Sequence, residues 1–239
     1  MDRWSWGRRA WGAIGRAQGP WPAAPAPPAT DPRLDPRLDP RLDPLAYHLR
    51  QRSSMTCGSA SLLVAHALAD PGVAARLLLG VALECGATDE HAVDERAARF
   101  AADEQAVKRR TNALVGPTGL QAPWPHALGT APWGASHEMT RITGLRYRAR
   151  YVGPDSRPAR TAGYDAVART VAAGWTAPVF VGDRAVPRHV VLAVGLDDEA
   201  LRLYEPASGD VVRLTREQYV DGGFVVAGWT VPWAVVVPR

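Results

Sequence analysis

The chain has 239 residues and a mass of 25.7 kDa, room for one sizeable domain or two small ones. Its 46% hydrophobic and 22% charged residues are the balance of a globular protein. Two cysteines exclude a disulfide-dense scaffold, and the longest uncharged apolar run, Ala60–Ala69, is far below the ~20 residues of a membrane span. The net charge of +4 sits mostly in the first 50 residues, which carry eight Arg and five Asp. The remaining body is nearly neutral, so nucleic acid is disfavoured as a partner.

In chain order, residues 1–30 read as a disordered Trp/Arg/Pro-rich tail and 31–44 as a linker. Nine of the 21 prolines lie before residue 45, which blocks both helix and central strand. Asp31–Pro44 repeats the tetrapeptide DPRL, a semi-rigid tether extending roughly 3.1 Å per residue. Ahead of it, Trp4, Trp6, Trp11 and Trp21 are interleaved with Arg3, Arg8, Arg9 and Arg16. That mixture suits contact with a membrane surface by residues 1–21; the plainer reading is a solvated tail. No apolar core followed by a cleavage site marks a signal peptide, and with the free thiols this points to the cytoplasm.

From residue 45 to 239 the chain reads as one α+β domain. Cys57–Ala69 is apolar nearly all round, the pattern of a buried helix, stopped by Asp70-Pro71-Gly72. Val73–Cys85 and the charged stretch Val93–Leu114 predict further helices. Gly116–Pro132 reads as loop, Ser136–Thr143 as a short helix closed by Gly144, and Leu145–Val152 as a strand. Tyr164–Ala173 predicts a helix leading into the strand Pro178–Val181. Strands follow at His189–Val194, Leu201–Tyr204, Val211–Leu214 and Ala234–Val237. Helices first and antiparallel strands last predict a helical layer packed on an antiparallel sheet.

Chemistry concentrates at Gln51-Arg-Ser-Ser-Met-Thr-Cys57-Gly58. The cysteine opens a buried helix, where free N–H groups and the helix dipole favour thiolate over thiol. Ser54 or Thr56 is placed to cap that helix, and Gly58 and Ala60 leave room for an approaching group. Gln51 can aim a side-chain amide at the same point, making an oxyanion hole with the Cys57 N–H. A thiolate nucleophile needs a base held by a third group. His189 opens one strand and Glu205 closes the next, so the Gly195–Glu199 turn brings them together. Singly each is bland: a buried Cys is usually an inert small hydrophobe, and Glu205-Pro206 a turn. Their joint order points to a catalytic triad.

Gln51, Cys57-Gly58 with Ala60, His189-Val-Val-Leu and Glu205-Pro206-Ala-Ser-Gly209 resemble the papain-like cysteine peptidases of the C39 (bacteriocin-processing) group. The resemblance implies a papain-like fold over Leu45–Arg239. It makes Cys57 the nucleophile, His189 the base and then acid, Glu205 the orienting acid and Gln51 the oxyanion donor. It implies a peptide or protein substrate and no cofactor. Three departures stand out. Glu205 replaces the usual Asp, which leaves Asp197 or Asp198 as substitutes if it does not fit. Thr56 replaces an acidic residue, and an insertion spans residues 93–114 and 116–134. The expected activity is that of a cysteine peptidase. Acyl transfer of the transglutaminase type on the same triad, and a non-catalytic peptide-binding relative, are the alternatives.

The remaining candidates read as structural. Cys85 lies late in an apolar helix and His66 nine residues along from Cys57. His137-Glu138 lacks the second His of a zinc helix, and no glycine turn leads into Lys-Ser/Thr to cradle phosphate. Trp124, Trp133, Trp175, Trp229 and Trp233 read as core or cleft wall.

Overall fold

The computed structural model describes residues 18–28, 42–80, 89–116, 119–121, 124, 129–153, 155–223 and 225–239. Cys85 and most of the DPRL repeat lie outside the described residues. A short 3₁₀ turn at Pro44–Tyr47 leads into the domain. It is followed by α1 (Cys57–Ala69), α2 (Pro71–Leu78), α3 (Asp89–Thr111), β1 (Val115–Gly116), β2 (Gly119–Leu120), α4 (Pro132–Thr143), β3 (Tyr147–Tyr151) and α5 (Arg157–Ala172). Next come β4 (Ala177–Gly182), β5 (Pro187–Asp197), β6 (Ala200–Glu205), β7 (Asp210–Leu214), α6 (Arg216–Asp221) and β8 (Val231–Pro238). The fold is α+β, as expected.

Six strands form one antiparallel sheet in the order β3-β8-β4-β5-β6-β7. β4 and β8 are buried along their whole length. Apolar side chains cover both faces of such strands, which is why β8 reads as an unbroken apolar run rather than an alternation. On one face Leu62, Leu77, Phe100 and Met139 of α1–α4 pack against Phe180, Leu192, Tyr204 and Trp233. On the other, Tyr164 and Val167 of α5 and Tyr219 of α6 cover Val191, Leu203 and Val235. The expected helical layer is present, and a smaller second one closes the opposite face.

Local chemistry sets the element ends. Asp70 does more than stop α1. Its carboxylate accepts from the N–H groups of Gly72 and Val73 at 2.8 and 3.2 Å, and Pro71 takes the first turn, so the stop signal also starts α2. α6, unforeseen in the sequence, is only six residues long but carries a full capping box between Thr215 and Gln218. β1 and β2 pair as a short hairpin that begins at Val115, one residue ahead of the stretch read as loop.

Residues 18–22 lie along the outer edge of β3. The Arg150 guanidinium donates to the carbonyls of Gln18, Gly19 (2.7 Å) and Pro20 (2.9 Å), and the Gln18 side chain accepts from the Tyr151 N–H at 2.9 Å. The Trp21 ring sits 4.9 Å from the Arg150 guanidinium, and Trp175 Nε1 donates to Ala26 O at 2.7 Å. This part of the tail therefore packs on the body and covers a strand edge. Trp4, Trp6 and Trp11 lie outside the described residues. No single described helix is long and apolar enough to cross a membrane.

Candidate active site

α1 runs through the interior with ten of its thirteen residues buried. Its first residue is Cys57. Thr56 occupies the N-cap position but makes no capping bond. Its hydroxyl instead closes a tight turn, donating to Ser53 O at 2.8 Å and accepting from the Ser53 N–H at 3.2 Å. The expected cap by Ser54 or Thr56 is thus absent, because Thr56 Oγ1 is used upstream. The first-turn N–H groups beside the sulfur are left without a side-chain cap. The space expected beside Gly58 is filled: a Cβ there would lie 2.5 Å from Thr130 Cβ. The loop ahead of α4 therefore packs against the first turn of α1.

His189 lies near the start of β5 and Glu205 ends β6. His189 Nε2–H donates to Glu205 Oε1 at 2.6 Å. Both side chains are buried, at 6% and 5% exposure. The Cys57 side chain is the second hydrogen-bond partner of the imidazole. With Nε2 on Glu205, the Cys57 bond falls to Nδ1. The structure thus brings Cys57, His189 and Glu205 together. One helical turn along α1, Ser61 Oγ donates to Val190 O at 3.2 Å, fixing α1 against β5 beside this contact.

Burial pulls the His189 pKa down, but the hydrogen bonds to Cys57 and Glu205, and the charges of both, raise it to about 9. Burial pushes Glu205 up, and the His189 bond with the Ala207 and Ser208 N–H groups brings it down to about 2. Those N–H groups reach Oε1 at 2.9 Å and Oε2 at 2.8 Å. Glu205 is therefore held by its own turn as well as by the imidazole. Asp197 and Asp198 are not substitutes: at the far end of the β5–β6 hairpin they pair with Arg213.

The chain from Leu49 to Gln51 is stitched onto the acid's turn. Tyr204 Oη donates to Leu49 O, Arg50 Nε to Ala207 O at 3.0 Å, and the Gln51 N–H to Pro206 O at 2.7 Å. Gly209, at φ +80°, leaves no room for a side chain, since a Cβ would lie 2.4 Å from His48 O. Gln51 Nε2 donates one hydrogen to Ser53 O at 2.9 Å, and Gln51 Oε1 is buried without a partner. Gln51 is thus fixed by its backbone to the acid's turn and by its amide to the turn before Cys57.

The other candidates have structural surroundings. Burial lowers the pKa of His66, keeping the ring neutral. Glu138 binds Arg110 at 2.7 Å and Arg141 at 2.9 Å. Trp233 is a core residue whose Nε1 donates to Asp183 O, and Trp124 stacks edge-on against Trp133. Among the described residues no group of three or more His, Cys, Asp or Glu is arranged to hold a metal ion. Sequence reasoning passed over Thr130, Ser61 and Glu104. Glu104 read as one more charge on an amphipathic helix, yet it is fully buried. The only signal was its place in the stretch identified as an insertion.

No known family model and no curated protein matches the chain. Among solved structures the chain is similar to the peptidase domain of Streptococcus ComA, a bi-functional ABC transporter involved in a quorum-sensing pathway. The two are 14% identical with a TM-score of 0.35, over 80% of this chain and 97% of that one.

Proposed function

We propose that the chain is a papain-like cysteine hydrolase that cleaves a peptide or amide bond through a thioester. One observation carries this reading: the imidazole of His189 is held between the Glu205 carboxylate, 2.6 Å from Nε2, and the thiol that opens α1. With a pKa near 9, His189 keeps its proton at neutral pH beside the sulfur. The Cys57 thiolate attacks the carbonyl carbon, forming the C–S bond and moving the π electrons onto oxygen. The Cys57 N–H and the second amide hydrogen of Gln51 stabilise that oxyanion. His189 passes its Nδ1 proton to the leaving amine as the C–N bond breaks. Water then attacks the thioester, His189 takes a proton from it, and thiolate and carboxylic acid are released. Glu205 keeps the ring in the tautomer that each step requires.

Cys57 is 3% exposed, whereas residues 52–55 beside it are exposed. Substrate approaches from that side, and the partner is a peptide or protein. Aminolysis of the same thioester needs only a primary amine in place of water, and an assay offering both separates the two outcomes. The reading is tested with iodoacetamide at neutral pH, followed by mass mapping of both cysteines. Cys57 is expected to alkylate faster than Cys85, and His189→Ala to abolish the difference. Equal rates in the wild type would falsify the proposal.

A further inference from the structure

We infer that Glu104, on helix α3, is a positioning residue for the oxyanion donors of this site. The inference rests on the hydrolase reading and adds to it the element that aims Gln51 and the Cys57 N–H.

Glu104 is fully buried, and burial raises its pKa. Among the described residues it forms no ion pair; Lys108, one helical turn on, acts on it through charge alone. A buried carboxylate without a cation costs stability, and an apolar side chain of similar volume fills such a place at lower cost. Every hydrogen bond it makes goes to the short segment leading into Cys57. Both oxygens accept from the Arg52 N–H, at 3.3 and 3.2 Å. The Thr56 side chain lies beside it and favours its charged form, and Thr56 is itself fully buried.

The consequence is geometric. Ser53 O accepts from the Thr56 N–H at 3.1 Å, the Thr56 hydroxyl at 2.8 Å and the Gln51 amide at 2.9 Å. That carbonyl is the hub of the turn. Glu104 grips the residue before the hub and lies against the residue that closes the turn. The start of the segment is held separately, by the Gln51 N–H on Pro206 O. Gln51 and the Cys57 N–H stand at the two ends of this braced turn. Where the hub sits decides where the free Gln51 hydrogen points. Loss of the carboxylate lets the hub shift and detunes both donors without touching the Cys57–His189–Glu205 contacts. An ångström of misplacement is enough to slow chemistry severely.

The test uses the full chain and two probes of different demand. Iodoacetamide reports thiolate reactivity and creates no oxyanion. p-Nitrophenyl acetate acylates the sulfur through a tetrahedral oxyanion, forming the S–acyl bond and expelling p-nitrophenolate. Glu104→Gln is expected to alkylate at Cys57 within about twofold of wild type, while its acylation rate falls about tenfold, less than the hundredfold expected of Gln51→Ala. kcat falls and KM holds. The double variant is expected to lose less than the product of the two single losses, since both act in part through the Gln51 donor. If Glu104→Gln does not fold, judged by circular dichroism, Glu104→Asp serves in the same assays. Unchanged acylation, a parallel fall of alkylation and acylation, or additive losses in the double variant overturns the inference. A wild-type Cys57 that alkylates no faster than Cys85 sinks the hydrolase reading instead, and the role of Glu104 with it.

Discussion

Glu205 meets His189 on a diagonal, not straight across the two strands. The ladder pairs Leu192 with Tyr204, which sets Glu205 opposite Val191, two residues past His189. Two residues of strand cover roughly 6–7 Å. The glutamate side chain closes that offset to a 2.6 Å hydrogen bond while its own turn holds both oxygens. The extra methylene relative to Asp is therefore matched to the register.

Glu205→Asp is expected to lose reach and Glu205→Gln to lose charge. On the proposed mechanism both lower kcat, the Gln variant by on the order of a hundredfold or more. The His189 titration separates them from mere unfolding. Its pKa, near 9 in the wild type, is expected to drop in Glu205→Gln and also in Cys57→Ala, because each removes one of the two groups that raise it. NMR of the imidazole Cε1–H across pH measures this; an unmoved value in both variants contradicts the geometry.

The pair also shapes stability against pH. His189 is raised from 6.5 to about 9, so its contribution is complete below pH 6.5 and is lost as pH rises through 9. Glu205 is lowered from 4.5 to about 2, so its contribution is complete above pH 4.5 and is lost as pH falls through 2. The two windows overlap between pH 4.5 and 6.5. The Tm difference between wild type and Glu205→Gln is expected to be largest there and to shrink on both sides. A difference that does not shrink as pH rises from 6.5 toward 9 or falls from 4.5 toward 2 counts against the ion pair.

Much of this was readable in the sequence because it depends on local pattern. The uninterrupted apolar run after Cys57 meant a helix buried on all sides, and the spacing of His189 and Glu205 around a tight turn meant adjacent strand ends. The offset between those two residues was not readable, because ladder register depends on bulges: the β5–β6 register shifts between Ala193 and Gly195. Thr56 misled, since an N-cap residue can spend its hydroxyl on the preceding turn instead of the helix. Glu104 and Thr130 were invisible beside the site because only tertiary packing carries α3 and the loop ahead of α4 back to the segment around Cys57. α6 was missed because six residues are too few to show a period.

The contact between Gly58 and the loop ahead of α4 is testable through stability. A Cβ at position 58 meets Thr130 Cβ at 2.5 Å and Oγ1 at 2.6 Å, and both residues are buried. Gly58→Ala is expected to cost about 1–3 kcal/mol through overpacking, despite the better helix propensity of alanine. Combining it with Thr130→Gly removes the clashing side chain, so the double variant is expected to be more stable than the sum of the single losses. Chemical denaturation of the four proteins measures this; additive losses would show that the two residues do not share the space.

α3 is also anchored by Glu138, and this anchor is independent of the site. Its buried carboxylate takes Arg110 from α3 at 2.7 Å and Arg141 from its own helix at 2.9 Å. The helices cross closely at the same place, since a Cβ on Gly134 would lie 2.1 Å from Thr111 O. Burial raises the Glu138 pKa, and the bonds from both arginines bring it below the usual carboxylate range. Its contribution is therefore complete above pH 4.5 and fades as pH falls further. Both arginines are about half exposed, so solvent screens the charges and Glu138→Gln is expected to cost only about 1–2 kcal/mol. The loss is expected to shrink toward acid pH and to leave iodoacetamide reactivity at Cys57 unchanged. A large fall in that reactivity would mean that the α3–α4 crossing supports the thiol and is not independent of the site.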